Sequence, residues 1–182
     1  MFLILIRINM VLKKDNYPLV GFRYEVNIVS EIKSNEMTPG NISSLANNTK
    51  STVDNSGFSE ISGVTVTFET EDVEDAEGNI HYLPKYRKYT PLVLKRGLTG
   101  MKSDLVAWVA ETIIGEKTQT TINTKSVIVK LLSDQGEPIA FWVFTGAYPT
   151  KWSVSGLKAM SNELVIEEME LKYKTFYPVF LG

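Results

Sequence analysis

The sequence contains no cysteine in 182 residues. Disulfides, thiolate metal sites and cysteine nucleophiles are thereby excluded. It contains a single histidine, His81, within Asn79-Ile-His-Tyr-Leu-Pro84. A zinc site needs several ligands, and a serine triad of the hydrolase kind needs a G-x-S-x-G elbow, which is missing. His81 therefore reads as a loop or strand residue. Basic charge is not in excess either: the formal net charge is -2 and the pI about 5.5. A protein that grips nucleic acid by neutralising phosphates needs the opposite balance. Long apolar runs are also absent. The start, from Met1 to Met10, is apolar, but Arg7 interrupts it and Lys13-Lys14 follow. A bilayer span takes about 20 apolar residues, and the segment lacks the leading charge and cleavage site of a signal peptide. It reads either as an extra edge strand or as residues ahead of a start at Met10, and both readings stay open. The glycine-rich stretch Gly97 to Ser103 lacks the spacing of a phosphate loop, because Met101 separates Gly100 from Lys102. The acidic run from Glu69 to Glu77 lacks the spacing of an EF-hand.

What is present is a β-rich pattern. Hydrophobic residues make up 43% and charged residues 22%, enough to bury the core of one domain. From Leu19 to Ser30, Val20, Phe22, Tyr24, Val26 and Ile28 alternate with polar residues, as in a half-buried strand. Val64, Val66 and Phe68 repeat the pattern, and a short strand is predicted over Leu92 to Lys95. Lys125 to Leu132 and Pro138 to Thr145 flank the turn Asp134-Gln-Gly-Glu137 and predict a hairpin. Glu163 to Phe176 reads as a strand with a bulge at Glu167-Glu168, where the alternation shifts by one. The best helix covers Ser103 to Ile114, with Ser103 as N-cap, Leu105, Val106, Trp108, Val109 and Ile113 as its apolar stripe, and Gly115 just past its end. Glu31 to Ser56 is polar and rich in turn formers, a long insertion. The expected fold is mainly β: an antiparallel barrel or sandwich of about six or seven strands with one flanking helix. The expected organisation is an extension over 1–16 and one domain over 17–182, with the insertion at about 31–56.

The chemistry on offer is charge rather than catalysis. Lys85-Tyr-Arg-Lys-Tyr89, followed by Lys95-Arg96, mixes basic and aromatic residues. Such a mix suits single-stranded nucleic acid in a basic protein, but this chain is acidic overall. A contact between subunits fits better. The acidic Glu69, Glu71, Asp72, Glu74 and Asp75 of one copy would face Lys85, Arg87, Lys88, Lys95 and Arg96 of the next. Complementary charge sets register between partners, and head-to-tail contacts build rings or filaments. Trp142, Tyr148 and Trp152 cluster near Gly146-Ala-Tyr-Pro149 and read first as core, second as a carbohydrate platform. A glycosidase-type carboxylate pair stays open, since its separation is spatial. No cofactor or metal is expected, and the chain is not read as an enzyme.

Five segments, in order, carry a resemblance. They are Tyr17-Pro-Leu-Val-Gly-Phe-Arg-Tyr-Glu-Val26, Phe58-Ser-Glu-Ile-Ser-Gly-Val64, Leu92-Val-Leu-Lys-Arg-Gly-Leu98, Gly146-Ala-Tyr-Pro-Thr-Lys-Trp152 and Ser161-Asn-Glu-Leu-Val-Ile-Glu-Glu-Met-Glu-Leu171. Together they resemble the phage tail tube protein family, in the branch found in extracellular contractile injection systems. The likeness spans Tyr17 to Phe176 except Glu31 to Ser56. It implies a barrel related in fold to the type VI secretion tube protein. It also implies a homohexameric ring whose inner strands line a pore, and rings stacked into a tube inside a sheath. The expected partners are other copies, adjacent rings, spike, baseplate and sheath proteins, in a phage-tail-like particle assembled in the bacterial cytoplasm and released or membrane-anchored with it. The inner wall would fall near Ser62 to Thr70 and Glu163 to Phe176. The loop from Glu71 to Tyr89 would meet the adjacent ring or subunit, and the helix would pack outside the barrel. The insertion and the apolar start depart from a plain tube subunit. They favour the tube-initiating layer that joins tube to spike and baseplate over the repeating subunit.

Overall fold

The computed structural model describes residues 23–32, 38, 40, 41, 44, 56–98, 103–115, 122–156 and 164–180. The expected extension over 1–16, Tyr17 to Phe22, most of the insertion, part of the Gly97 to Ser103 stretch and the start of the last segment lie outside them. Among the described residues the elements are β1 (Arg23–Val29), β2 (Ser56–Ser62), β3 (Val66–Glu74), β4 (Ile80–Tyr89), β5 (Leu92–Gly97), α1 (Asp104–Ile114), β6 (Lys125–Leu132), β7 (Pro138–Val154), β8 (Ile166–Lys172) and β9 (Thr175–Phe180).

The main sheet runs β6-β1-β2-β5-β8-β7-β9, and β6 also pairs with β7. That extra pairing closes six strands into an antiparallel barrel within one chain. β7 is the organising strand. Its first half pairs with β6 and β9 and its second half with β8. Thr145 lies opposite Thr175 and Tyr148 opposite Lys172, so β8 and β9 lie along one edge of β7 in a single register. They are one long strand interrupted at Tyr173-Lys174, where the Lys174 N–H still donates to the Thr145 carbonyl.

The barrel is filled by the inward side chains that the alternation supplies: Val26, Leu92, Leu94, Val127, Val129, Phe144, Met169 and Leu171, joined by Phe58 and Ala147. Burying a large apolar side chain of this kind contributes about 1.5–3 kcal/mol. The helix packs against β7 and β1. It adds Leu105, Trp108 and Val109 to the same cluster, which is its i, i+3, i+4 stripe. Trp108 Nε1–H donates to the Asn123 carbonyl. Ser103 occupies the N-cap position, but its hydroxyl makes no capping bond. Gly115 follows the helix with φ -53, so the end is not a left-handed cap. On the other face of β6 and β7, Ile128, Phe141 and Val143 form a second buried cluster with Val29, Ile32, Tyr177 and Val179.

Two expectations are corrected here. The predicted strand over Glu163 to Phe176 has no bulge at Glu167-Glu168. The β5–β8 register runs unbroken from Ile166 to Leu171, and Glu167 simply points inward with Met169 and Leu171. The stretch expected as a loop from Glu71 to Tyr89 is a β-hairpin, β3–β4, forming its own two-stranded sheet.

Candidate interaction surfaces

The β3–β4 hairpin is the most exposed part of the described chain. Its strands pair from Val66 opposite Tyr89 to Glu74 opposite Ile80, with one irregularity between Glu69 and Thr70. At the tip, Asp75 organises the turn. Its Oδ1 accepts the N–H groups of Glu77 and Asn79, and Oδ2 pairs with His81 Nε2 at 2.9 Å. The His81 contact, with help from Asn79, holds the Asp75 carboxyl well below the usual carboxylate range. Gly78, with φ 85, turns the chain where a left-handed residue is required.

The candidate charged residues are placed differently from the sequence expectation. Within the hairpin, Glu71 pairs with Lys85 at 3.0 Å and Glu69 with Lys88 at 3.5 Å. Acidic and basic runs thus face each other inside one copy, across adjacent strands. Arg87 sits over the Phe68 ring, while Asp72 and Glu74 lie on β3 opposite Tyr82 and Ile80. Arg96 does not reach the surface: it is 3% exposed. Its Nε–H donates to Glu167 Oε2 at 2.9 Å, and Trp152 Nε1–H donates to Glu167 Oε1. This buried pair explains why an acidic residue occupies an inward position of β8. Lys95 is held by Glu60 through both carboxylate oxygens at 3.0 Å.

The sequence reading missed the apolar side of the hairpin. Phe68 is 58% exposed and Tyr82 69%, and Ile80, Leu83 and Tyr86 are also open. Their signal was present in the alternation of β4, but the acidic run before it masked the strand pattern. The hairpin root, by contrast, is held tightly. Tyr173 Oη–H donates to the Gly63 carbonyl, and the Tyr89 hydroxyl bonds Thr175 Oγ1 at 3.1 Å. Gly63 has φ 87, and a Cβ there would sit 1.8 Å from the Pro91 carbonyl oxygen. Burial pushes the Tyr173 hydroxyl up to about 12.

A second surface crosses four barrel strands. Register places Glu60 of β2 opposite Lys95 of β5, and Lys95 opposite Glu168 of β8. Glu168 accepts from Lys151 of β7 at 2.7 Å. Lys151 holds the Glu168 carboxyl below its usual range, with Lys95 adding to the effect, and Glu168 in turn raises the Lys151 ammonium. The aromatic trio does not form a platform. Trp142 and Trp152 pack against the barrel core, and Tyr148 lines a small cleft with Tyr89 and Tyr173. Among the described residues no group of three or more His, Cys, Asp or Glu is placed to hold a metal ion, and no helix is long and apolar enough to cross a membrane.

The sequence profile of the family described as T4-like virus tail tube protein gp19 matches residues 20–177. No curated protein matches the chain. Among solved structures, a chain of an extracellular contractile injection system, the PVC sheath-tube complex in the extended state, is 20% identical with TM-score 0.66, covering 91% of this chain and 94% of that one. A chain of the anti-feeding prophage baseplate is 22% identical with TM-score 0.64, covering 91% and 98%. A chain of the anti-feeding prophage tube-terminating cap is 19% identical with TM-score 0.67, covering 96% and 99%. At these identities the likeness is one of fold, and the family match covers most of the sequence: the chain belongs to the tail tube protein family.

Proposed function

We propose that this protein is a structural subunit of the inner tube of a contractile injection system, and that it works by assembly rather than by catalysis. One tail-tube domain over residues 17–182, with 1–16 as an extension and 31–56 as an insertion, would build a homohexameric ring that stacks into a conduit. Spike, baseplate and sheath proteins are the further partners, in a phage-tail-like particle assembled in the bacterial cytoplasm. The observation that carries the reading is the β3–β4 hairpin. A lone two-stranded ribbon is marginal in water, and this one leaves Phe68, Ile80 and Tyr82 open while Glu69, Glu71, Lys85 and Lys88 are already paired within the copy. A neighbouring copy that covers those side chains removes both costs. Asp72, Glu74 and Arg87 then take the role of contact charges, Asp75 stays with the turn it organises, and Arg96 leaves the set because it is buried.

Within that reading we favour the tube-initiating layer over the repeating subunit, on the polar insertion Glu31 to Ser56, assigned here to contact with baseplate or spike. Negative-stain electron microscopy of the purified chain, alone and with its spike and baseplate neighbours, tests both levels. A single ring formed only with the spike protein is the result expected of an initiator. Long tubes formed alone would reassign it as the repeating subunit. A chain that neither assembles nor binds the spike would overturn the proposal.

A further inference from the structure

The chain has one histidine, and it is bonded to the residue that closes the β3–β4 turn. The Asp75 N–H donates to the Asn79 carbonyl, and the Gly78 N–H donates to the Asp75 carbonyl. Asp75 Oδ1 accepts the N–H groups of Glu77 and Asn79, and the Asn79 side-chain amide donates to Oδ2 at 3.1 Å. The last bond to Oδ2 comes from His81 Nε2 at 2.9 Å. A carboxylate only accepts, so this ring nitrogen carries the hydrogen. His81 lies opposite Val73, and Glu71 and Lys85 share its face of the ribbon, where they neutralise each other at 3.0 Å. The other charges near it are acidic: Glu77 in the turn, Glu74 opposite Ile80 and Asp72 opposite Tyr82. Residues 76–88 are exposed, so the charged groups facing His81 come from β3, β4 and their turn.

Resting on the reading of the hairpin as the contact arm between copies, we propose that His81 is a proton switch: in mild acid it tightens the turn on Asp75, lowers the acidic charge of the tip and so favours assembly. Histidine is the side chain that ordinarily changes charge between pH 5 and 8. Asp75 does not change with it. Its carboxyl is held well below the usual carboxylate range, first by His81 and then by Asn79, so its own contribution to the turn is lost only in stronger acid. Across the histidine window a hydrogen bond with one charged member therefore becomes one with two, which is the stronger kind. The tip also changes in charge. Asp72, Glu74, Asp75 and Glu77 are four carboxylates with no cation among them, and protonated His81 adds one. A closed ring repeats the same tip around its symmetry axis, and like charges repel within a Debye length of about 10 Å at 0.1 M salt. Both effects have the same sign. Pairs exposed to water contribute little, so the response is graded, a few-fold rather than all or none.

Two measurements separate the switch from the tube reading. Both compare the parent with His81→Gln, which keeps an N–H donor and takes no proton. In the unassembled chain, amide hydrogen exchange at Glu77 and Asn79, the two N–H groups on Asp75 Oδ1, reads the turn alone. At pH 6 the parent should exchange these amides a few-fold more slowly than the variant, and at pH 8 the two should agree more closely. A parent-to-variant ratio that is the same at both values would overturn the inference and leave the tube reading in place. In sedimentation, with the spike and baseplate neighbours present, the parent should form rings or tubes at a concentration up to about fivefold lower at pH 6 than at pH 8. His81→Gln should assemble at one concentration at both. A pH response that persists in His81→Gln, or a parent with no response, would also overturn it. A parent that assembles at neither pH would remove the tube reading, and the inference with it.

Discussion

Arg96 and Glu167 are direct partners across β5 and β8, and Glu167 also receives Trp152. A buried ion pair is costly to form, and removing one member leaves the other charge uncompensated, at about 3–5 kcal/mol. Glu167→Ala should therefore lower monomer stability by that amount in urea unfolding followed by circular dichroism. Arg96→Met with Glu167→Leu should recover most of it, because both charges leave together. Tyr173 gives a pH signature. Its hydroxyl is raised to about 12, above the value near 10 of an unfolded tyrosine. Between those two values the unfolded state loses its proton first, so this contribution is full below about pH 10 and is lost as pH rises towards 12. An ultraviolet titration of tyrosinate should show one late component that disappears in Tyr173→Phe. The same variant should loosen the hairpin root at a cost of about 0.5–1.5 kcal/mol, one hydrogen bond to the Gly63 carbonyl.

The hairpin is held by its root and open along its length. Phe68→Ser with Tyr82→Ser should leave monomer unfolding within about 0.5 kcal/mol of the parent, as for surface positions, yet abolish rings in negative-stain images. Rings that survive the double substitution would place the subunit contact elsewhere. Elements differ in how plainly they are written in the sequence. The β6–β7 hairpin was legible because Asp134-Gln-Gly-Glu137 sits between two clean alternations, and α1 because its apolar spacing fits only a helix. The β3–β4 hairpin was hidden by its acidic run, which separates Val66 and Phe68 of β3 from the apolar positions of β4. The inward Glu167 was illegible for another reason: its partner Arg96 lies 71 residues away, so the acidic residue looked like a break in register. β9 was also hidden, because Tyr173-Lys174 divides one long strand where the pattern gives no punctuation. Most of the charged candidates lie on the β3–β4 hairpin, but their pairing within one copy depends on strand register that composition does not encode.

At the scale of the molecule, assembly and stability are one equilibrium. Anything that binds only the folded chain raises its apparent stability by mass action. If copies cover each other's hairpins, the melting temperature should climb with protein concentration, whereas the Phe68→Ser, Tyr82→Ser chain should melt at one temperature across the same range. A flat profile for the parent would count against self-association.

The place of β7 in the barrel also sets an order in time. β6–β7 and β7–β8 join neighbours in the chain, but β1 reaches its partner at Tyr24 opposite Leu131, a long loop to close. Pairings between distant segments form slowly, and strands that wait for them expose unpaired edges. During synthesis β1, β2 and β5 can pair with one another as they emerge, but β1 and β5 keep one open edge each until β6 and β8 follow, and the open hairpin emerges among them. The last strands to leave the ribosome both close the barrel and fix the hairpin root through Tyr173 and Thr175. A nascent chain thus lacks the two hydrogen bonds that fix the hairpin root until Tyr173 and Thr175 have emerged, and a copy truncated before them never aims its hairpin as the full chain does.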